Sequence, residues 1–346
     1  MHVNWKEKID KKELNIISKL IQDGQIIIFP TETVYGIGAN AFDERAVKKI
    51  FEAKGRPQDN PLIVHVSRKE QIYEITKNIN KIEQKLIDNF MPGPFTLVLE
   101  KKENIPDIVS AGLDTIGVRM PENEIAKTII ENSKVPIVAP SANISGKPSG
   151  TNIEDIKEEL EDKVSAIIDG GETKIGIEST VVKVIDNIPV ILRPGKITPS
   201  EIEKVIGKVK ISDKIFKEAK ENEEVESPGM KYRHYAPKTP CRLLYSLDEN
   251  KQIDLVNEQI QINNKDVIVL AFEEHINKID IEKDKVITIG SNKDLNTVMK
   301  NIFSALRNAD RKNAKIILIE GTKKEDLGLA IMNRLLRACE YDLIEI

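Results

Sequence analysis

Leu14, Ile17, Leu20 and Ile21 recur at helical spacing, and Gly24 interrupts the run before a short apolar stretch, Gln25 to Phe29. Intervals of three and four residues line one face of a helix, whereas a brief apolar run after a turn signal suits a buried strand, so the spacing predicts a helix over 11–22 and a strand over 25–29. The alternation continues. Helices are expected at 43–54, 68–77, 81–90, 122–132, 152–160 and 199–206, and strands at 62–66, 95–100, 116–119, 135–139, 164–168, 179–185 and 189–193. A first α/β domain therefore closes near residue 210. From 241 a second series begins, with strands at 241–245, 267–271, 286–289 and 316–319 and helices at 248–262, 293–309 and 326–338. That is the pattern of a small Rossmann-like α/β unit.

Residues 211–240 break the pattern. Charge accumulates up to the run Glu221 to Glu226, as in a solvated connector, and then Ser227 to Pro237 gathers two tyrosines, a histidine, an arginine and a lysine between proline punctuation. Long segments without secondary structure inside compact proteins are usually functional or disordered, and the aromatic content here favours function. A lid over a site is the expectation for 227–237.

Length and composition agree with two soluble domains. A chain of 346 residues, 40% hydrophobic and 31% charged, exceeds the size at which one core keeps growing. The net charge of -4 supplies no general basic field for nucleic acid, so any anion site must be local. The first nine residues carry Trp5, Lys6, Glu7 and Lys8 with no apolar core, and apolar runs such as Ile26 to Phe29 are far too short for a membrane span. A cytoplasmic location follows as an expectation. Cys241 and Cys339 stand far apart, without a Cys-x-x-Cys or a histidine cluster, and read as small buried hydrophobes rather than zinc ligands or a disulfide.

Several short motifs carry chemistry. Gly36-Ile-Gly-Ala-Asn-Ala41 has the letters of a dinucleotide fingerprint, but five residues separate it from the preceding strand and no suitably placed acid follows, which argues against NAD. No P-loop occurs. Lys54 and Arg56, beside the end of the 43–54 helix, are candidates for holding phosphates, or else they complement the helix dipole. Pro140 to Ser149 follows a strand with hydroxyl, amide and glycine residues, suiting either an anion-contacting loop or a plain turn. Arg119 lies inside an apolar strand and needs either an internal or a ligand carboxylate. For His65, in Leu-Ile-Val-His-Val, a satisfied core histidine is the ordinary reading, and for Arg193, before Pro194, an exposed side chain. No Ser-His-Asp order, Cys-His pair or metal-ligand spacing appears.

In order along the chain, Pro30 to Asn40, Ala53-Lys-Gly-Arg-Pro57, Asp59 to His65, Pro92-Gly-Pro-Phe-Thr96, Gly112 to Arg119, Ala139-Pro-Ser-Ala-Asn143, Gly176-Ile-Glu-Ser-Thr180 and Leu192-Arg-Pro-Gly195 closely resemble the threonylcarbamoyl-AMP synthase family in its long form. The resemblance covers about residues 10–210, includes 227–237, and weakens beyond 240 apart from Ala330-Ile-Met-Asn-Arg334. It implies a YrdC-type catalytic domain over 10–210, with a twisted mixed sheet and a concave cleft. A linker or lid over 211–240 and a Rossmann-like domain over 241–346 complete the implied layout.

The resemblance also implies a reaction: ATP, bicarbonate and L-threonine give threonylcarbamoyl-AMP and pyrophosphate. Mg²⁺ would accompany ATP through its phosphate oxygens, with no protein metal ligand. The product would pass to a tRNA threonylcarbamoyltransferase complex for N6-threonylcarbamoyladenosine at position 37 of ANN-decoding tRNAs, with weak or no direct tRNA binding by this chain. By motif, Arg56, Asn60, Thr115, Ser141, Asn143, Ser149, Arg193 and Tyr232 correspond to ATP contacts, with Lys54 and Arg56 in the catalytic role. Thr33, His65, Arg119, Ala139 and Ser179 correspond to threonine contacts. A double-stranded RNA or tRNA-binding module is the alternative from another class, opposed by the acidic balance and the lack of aromatic-interleaved basic runs. A carbamoyltransferase for another acceptor is a further one, opposed by the 227–237 segment.

Overall fold

The computed structural model describes residues 1–217 and 234–346. Two compact units emerge. One comprises Met1–Ser145, Ser149–Lys174 and Glu178–Tyr232, and the other Gly146–Pro148, Ile175–Ile177 and Arg233–Ile346. Most of the expected lid, with Tyr232, lies outside the described residues.

The first unit is built on eleven strands: β1 (His2–Asn4), β2 (Ile27–Phe29), β3 (Gly36–Asn40), β4 (Ile63–His65), β5 (Phe95–Glu100), β6 (Thr115–Arg119), β7 (Ile137–Val138), β8 (Ala166–Asp169), β9 (Thr180–Ile185), β10 (Ile188–Arg193) and β11 (Lys210–Ile211). They form one mixed sheet in the order β1-β8-β2-β3-β7-β4-β6-β5-β9-β10-β11. Its helices are α1 (Lys11–Gln22), α2 (Glu44–Lys54), α3 (Lys69–Ile75), α4 (Lys81–Phe90), α5 (Asp107–Ser110), α6 (Glu124–Ser133), α7 (Ile153–Leu160) and α8 (Pro199–Ile206). Local chemistry sets their limits. Asp10 and Asp43 accept first-turn N–H bonds of α1 and α2, while Asn80 with Glu83 and Thr198 with Glu201 form capping boxes on α4 and α8. Gly55, at φ 60°, stops α2 in the left-handed conformation that glycine adopts without penalty.

Strand alternation sorts the side chains onto two faces. Val64, Leu97, Val118, Val138, Val182 and Ile191 join the larger apolar core, which includes Val47 and Ile50 of α2 and Leu86 and Ile87 of α4. On the opposite face, Phe29, Ile137 and Ala139 pack with Ile17 and Ile21 of α1 and Ile129 of α6. The expected domain start at residue 10 is too late, because β1 pairs in parallel with β8 as the sheet's edge. A three-residue strand with one buried side chain leaves too little periodicity to see.

The Gly36–Asn40 segment, which has the letters of a dinucleotide fingerprint, is a strand. β3 runs antiparallel to β2, with Ile28 opposite Ile37. A Cβ at Gly38 would stand 2.5 Å from the Phe29 ring and 2.8 Å from Ile137 Cγ2, so glycine here admits neighbouring side chains and not a pyrophosphate.

In the second unit, β12 (Cys241–Tyr245), β13 (Val267–Phe272), β14 (Val286–Gly290), β15 (Ile316–Glu320) and β16 (Leu343–Glu345) form an all-parallel sheet ordered β14-β13-β15-β12-β16. Helices α9 (Glu249–Ile262), α10 (Leu295–Asp310) and α11 (Asp326–Ala338) complete it, as the Rossmann-like pattern predicts. Only β16 was unforeseen. Leu244, Val269 and Leu318 face α9, so Leu243, Leu270 and Ile319 point to the other side. Cys241 and Cys339 are buried free thiols. Among the described residues, no helix is long and apolar enough to cross a membrane.

Gly38→Ala tests the reading of β3. Overpacking against Phe29 and Ile137 should cost about 1–3 kcal/mol in urea unfolding with the slope unchanged, whereas an unaltered midpoint would mean that the neighbours give way freely.

Candidate active site

The register brings distant motifs onto one face of the first sheet. His65 of β4 lies beside Arg119 of β6, and Ile63 beside Gly117, so alternation places Thr115, Gly117 and Arg119 together with Ile63 and His65. β5 and β9 extend the row. Leu97 pairs with Val118 and with Val182, which leaves Thr96 and Val181 on the Arg119 side. Arg193 opposes Val181 and shares that side. Across β4 to β10 this face carries His65, Thr96, Thr115, Arg119 and Arg193 among apolar residues such as Ile63 and Val181.

Arg119 is 4% exposed and sits at the centre of this row. Its Nη2 donates to Glu32 Oε1 at 2.6 Å, its Nη1 to Thr33 Oγ1 at 3.0 Å and its Nε to Gly93 O at 3.4 Å. The internal carboxylate left open by the sequence is therefore Glu32. Burial alone would raise the Glu32 carboxyl, but the Arg119 charge and hydrogen bond outweigh it and hold it below the usual range. Three of five guanidinium N–H donors are used, which leaves two for a ligand. Thr33 is fixed further by Thr31, whose Oγ1 lies 2.8 Å from Thr33 Oγ1 and donates to Val34 O.

Ser179 forms the next group. Its Oγ lies 2.8 Å from Thr96 Oγ1 and accepts from Arg193 Nη2 at 3.1 Å, while its carbonyl accepts from Arg193 Nε at 3.1 Å. Arg193 is 3% exposed, against the expectation of an exposed side chain. Because β10 ends at Arg193 before Pro194, its guanidinium turns back onto the sheet face instead of leaving it. Beside this group, Ser149 Oγ donates to Glu178 Oε1 at 2.5 Å, and both residues are buried.

Lys54 and Arg56 flank Gly55 at the end of α2. Lys54 Nζ donates to Ser141 O at 2.5 Å and to Asn143 O at 2.6 Å, while Lys54 O accepts from Ser145 N at 2.8 Å. The side chain clasps the loop after β7 and does not cap its own helix. Burial, with the Arg56 charge adding, holds its ammonium well below the usual lysine range. Two of three N–H donors are used, and one is left. In the same loop Ser141 Oγ donates to Asn143 Oδ1 at 2.6 Å, Ala139 N donates to Ile63 O, and Ile37 N donates to Pro140 O. Arg56 Nη2 reaches Pro61 O at 3.2 Å, and the buried Asn60 Oδ1 has no hydrogen-bond partner, so an acceptor stands ready for a ligand donor.

The expected residues thus fall into linked groups: Thr33 with Arg119 and His65, Ser179 with Arg193, Ser149 with Glu178, and Lys54 with Ser141 and Asn143. Ala139 and Thr115 share the face, while Arg56 and Asn60 sit in the loop after α2. Sequence reasoning missed Glu32, Thr96 and Glu178 as site residues. Their signal was an acid or hydroxyl inside each quoted motif, but cross-strand register is invisible in one sequence.

His65 keeps its core character. Burial, reinforced by the Arg119 charge, pushes its pKa down to about 3 from an ordinary 6.5, and Nδ1 lies 3.2 Å from Ile63 O. Backbone contacts to Ile63 and Ile137 hold the ring in place. Between pH 6.5 and 3 the unfolded chain binds a proton that the folded one refuses, so stability falls as pH falls, by about 1.4 kcal/mol per unit. His65→Gln should flatten this part of the acid limb in denaturation midpoints measured against pH. A limb parallel to that of the unaltered chain would show that His65 titrates normally.

Comparison with known proteins places this geometry. A family model described as "Telomere recombination" matches residues 19–195, and one described as "Threonylcarbamoyl-AMP synthase, C-terminal domain" matches 197–339. The threonylcarbamoyl-AMP synthase of Pyrococcus abyssi is 44% identical over 99% of each chain, and that of Bacillus subtilis is 42% identical over 92% of this chain and 90% of its own. A crystal structure of the P. abyssi protein complexed with L-threonine superposes with a TM-score of 0.93 at 43% identity, covering 100% of this chain and 99% of that one. Two domain models in sequence and relatives matched nearly end to end leave one assignment: the chain belongs to the threonylcarbamoyl-AMP synthase family of nucleotidyl-transferring enzymes.

Proposed function

We propose that the chain converts ATP, bicarbonate and L-threonine into threonylcarbamoyl-AMP and pyrophosphate in the cytoplasm. The product would serve N6-threonylcarbamoyladenosine formation at position 37 of ANN-decoding tRNAs by a separate transferase complex. The observation that carries this reading is the buried polar face itself. Arg119 keeps two N–H donors beside Thr33 and the neutral His65, a setting suited to an amino-acid carboxylate and hydroxyl. The relative crystallised with L-threonine has the same fold and 43% identity, which supports that assignment.

The threonine amine attacks bicarbonate carbon, and loss of water gives a carbamate. A carbamate oxygen, already anionic, attacks the α-phosphorus of ATP as the bond to pyrophosphate breaks. No strong side-chain base is needed. Positioning and charge neutralisation then account for catalysis. Lys54 holds the Ser141–Asn143 loop and has one donor left for a phosphate oxygen, while Arg56 and Arg193 add positive charge. Mg²⁺ is read as the companion of the phosphates, consistent with its preference for oxygen ligands of the nucleotide.

Incubation with all three substrates and Mg²⁺, followed by mass spectrometry of the nucleotide product, tests the reaction. Pyrophosphate and a threonylcarbamoyl adenylate should form only when threonine and bicarbonate are both present, and release of ADP with phosphate would refute it. Arg119→Lys should raise the KM for threonine by roughly tenfold or more with the KM for ATP changed far less, because an ammonium cannot serve Glu32, Thr33 and a ligand together. The opposite split in steady-state kinetics would move Arg119 to the nucleotide.

A further inference from the structure

The second unit contains a cavity of about 620 Å³ that the proposed reaction does not use. Its position follows from topology. β12 and β15 are neighbours, yet α9 carries the chain from β12 to β13 on one side, and α11 carries it from β15 to β16 on the other. Adjacent parallel strands whose exits diverge open a crevice at their carboxyl ends, the usual ligand position in open α/β sheets. The cavity lies there, lined by Tyr245 at the end of β12, Ser246 after it, His275 after β13 and Gly321 after β15.

A buried polar group faces this space without a hydrogen-bond partner. His275 is 2% exposed, and its Nδ1 lies 2.8 Å from Oε1 of the fully buried Glu320, which also accepts from Phe272 N. The carboxylate fixes the ring. Nε2 makes no hydrogen bond, and 3.5 Å away stands Oε1 of Glu249, a half-exposed lining residue also tied to Lys278. A carboxylate already resting beside Nε2 marks where an anionic ligand oxygen would sit. The Glu320 bond and charge also raise the His275 pKa against its burial, which favours the donor form.

The helix ends around the crevice differ. Asp248 and Asp294 cap α9 and α10 with their side chains, whereas Glu325 makes no side-chain bond to α11. The start of α11 lies next to Lys323 on the rim, with Lys293 also lining the cavity. These donors share a space of the size that small-molecule sites have with the carboxylates of Glu249, Asp294, Glu325 and Asp326.

We propose that this crevice is a second small-molecule site, which takes a phosphorylated ligand of mononucleotide size, its phosphate between His275 Nε2 and the start of α11 in place of the Glu249 carboxylate. Hydrogen exchange of the full chain, followed by mass spectrometry with added AMP or inorganic phosphate, tests it. AMP should slow exchange over 321–329, and peptides of the first unit report the catalytic cleft separately. His275→Ala should weaken this protection by roughly tenfold or more, a charge-assisted hydrogen bond being lost. Glu249→Ala should strengthen it, because a competing anion is gone. Lys323→Glu, on an exposed side chain that leaves the Glu320–His275 pair intact, should weaken it too, so the test survives if His275→Ala fails to fold. Absence of protection at millimolar AMP, or protection indifferent to Lys323→Glu and Glu249→Ala, would overturn the site. Equal protection by inorganic phosphate would overturn the nucleotide-sized ligand.

Discussion

Arg119 stands at the end of an interior strand with 4% of its surface exposed, and the free energy of burying that charge falls on every segment that must answer it. Glu32, Thr33 and Gly93 come from two loops far apart in sequence, and each gives an oxygen to one guanidinium. Glu32 also accepts from Asn123 N, at the start of α6, so the same carboxylate ties a helix to the arrangement. Removing either partner leaves a buried ion alone, a change of about 3–5 kcal/mol in comparable pairs. The loop over the sheet, the strand end and the helix entry are therefore set by one charge.

The two faces of the catalytic sheet divide labour through alternation alone. Val64 and Val118 pack into the larger apolar core, while their neighbours His65 and Arg119 turn the other way. Gly117 between the two sides of the row keeps it low, since a Cβ there would stand 3.1 Å from Thr96 and 3.3 Å from Ile63. The polar face thus gains depth from a residue that contributes no chemistry. Ser179, Thr96 and Arg193 continue it as a hydrogen-bonded shelf in which each hydroxyl is already oriented.

Much of this was legible in one sequence. Strong periodicity located the long helices α1, α2, α9 and α10 and the strands β5, β9 and β13 within a few residues, because many side chains vote on each. Short elements escaped: β1, β3, β11 and β16 are brief, and β3 carries two glycines that look like a loop. Motif order singled out Lys54, Arg119 and Ser179 as candidates, but not what they touch. That Lys54 grips backbone carbonyls, or that Glu32 answers Arg119, depends on tertiary distances no spacing encodes. The exposed reading of Arg193 failed for the same reason, since burial there is imposed by a neighbouring strand.

The grip of Lys54 on the loop after β7 fixes the length of a helix. An α-helix turns about 100° per residue, so a one-residue insertion or deletion within α2 would swing the last side chain a quarter-turn or more away from Ser141 and Asn143. Gly55 must also follow directly, because the chain reverses there in a conformation that few other residues accept. Side chains on the solvent face of α2 are free to vary, yet the number of residues between Asp43 and Gly55 is not, and drift in this helix is confined to substitution.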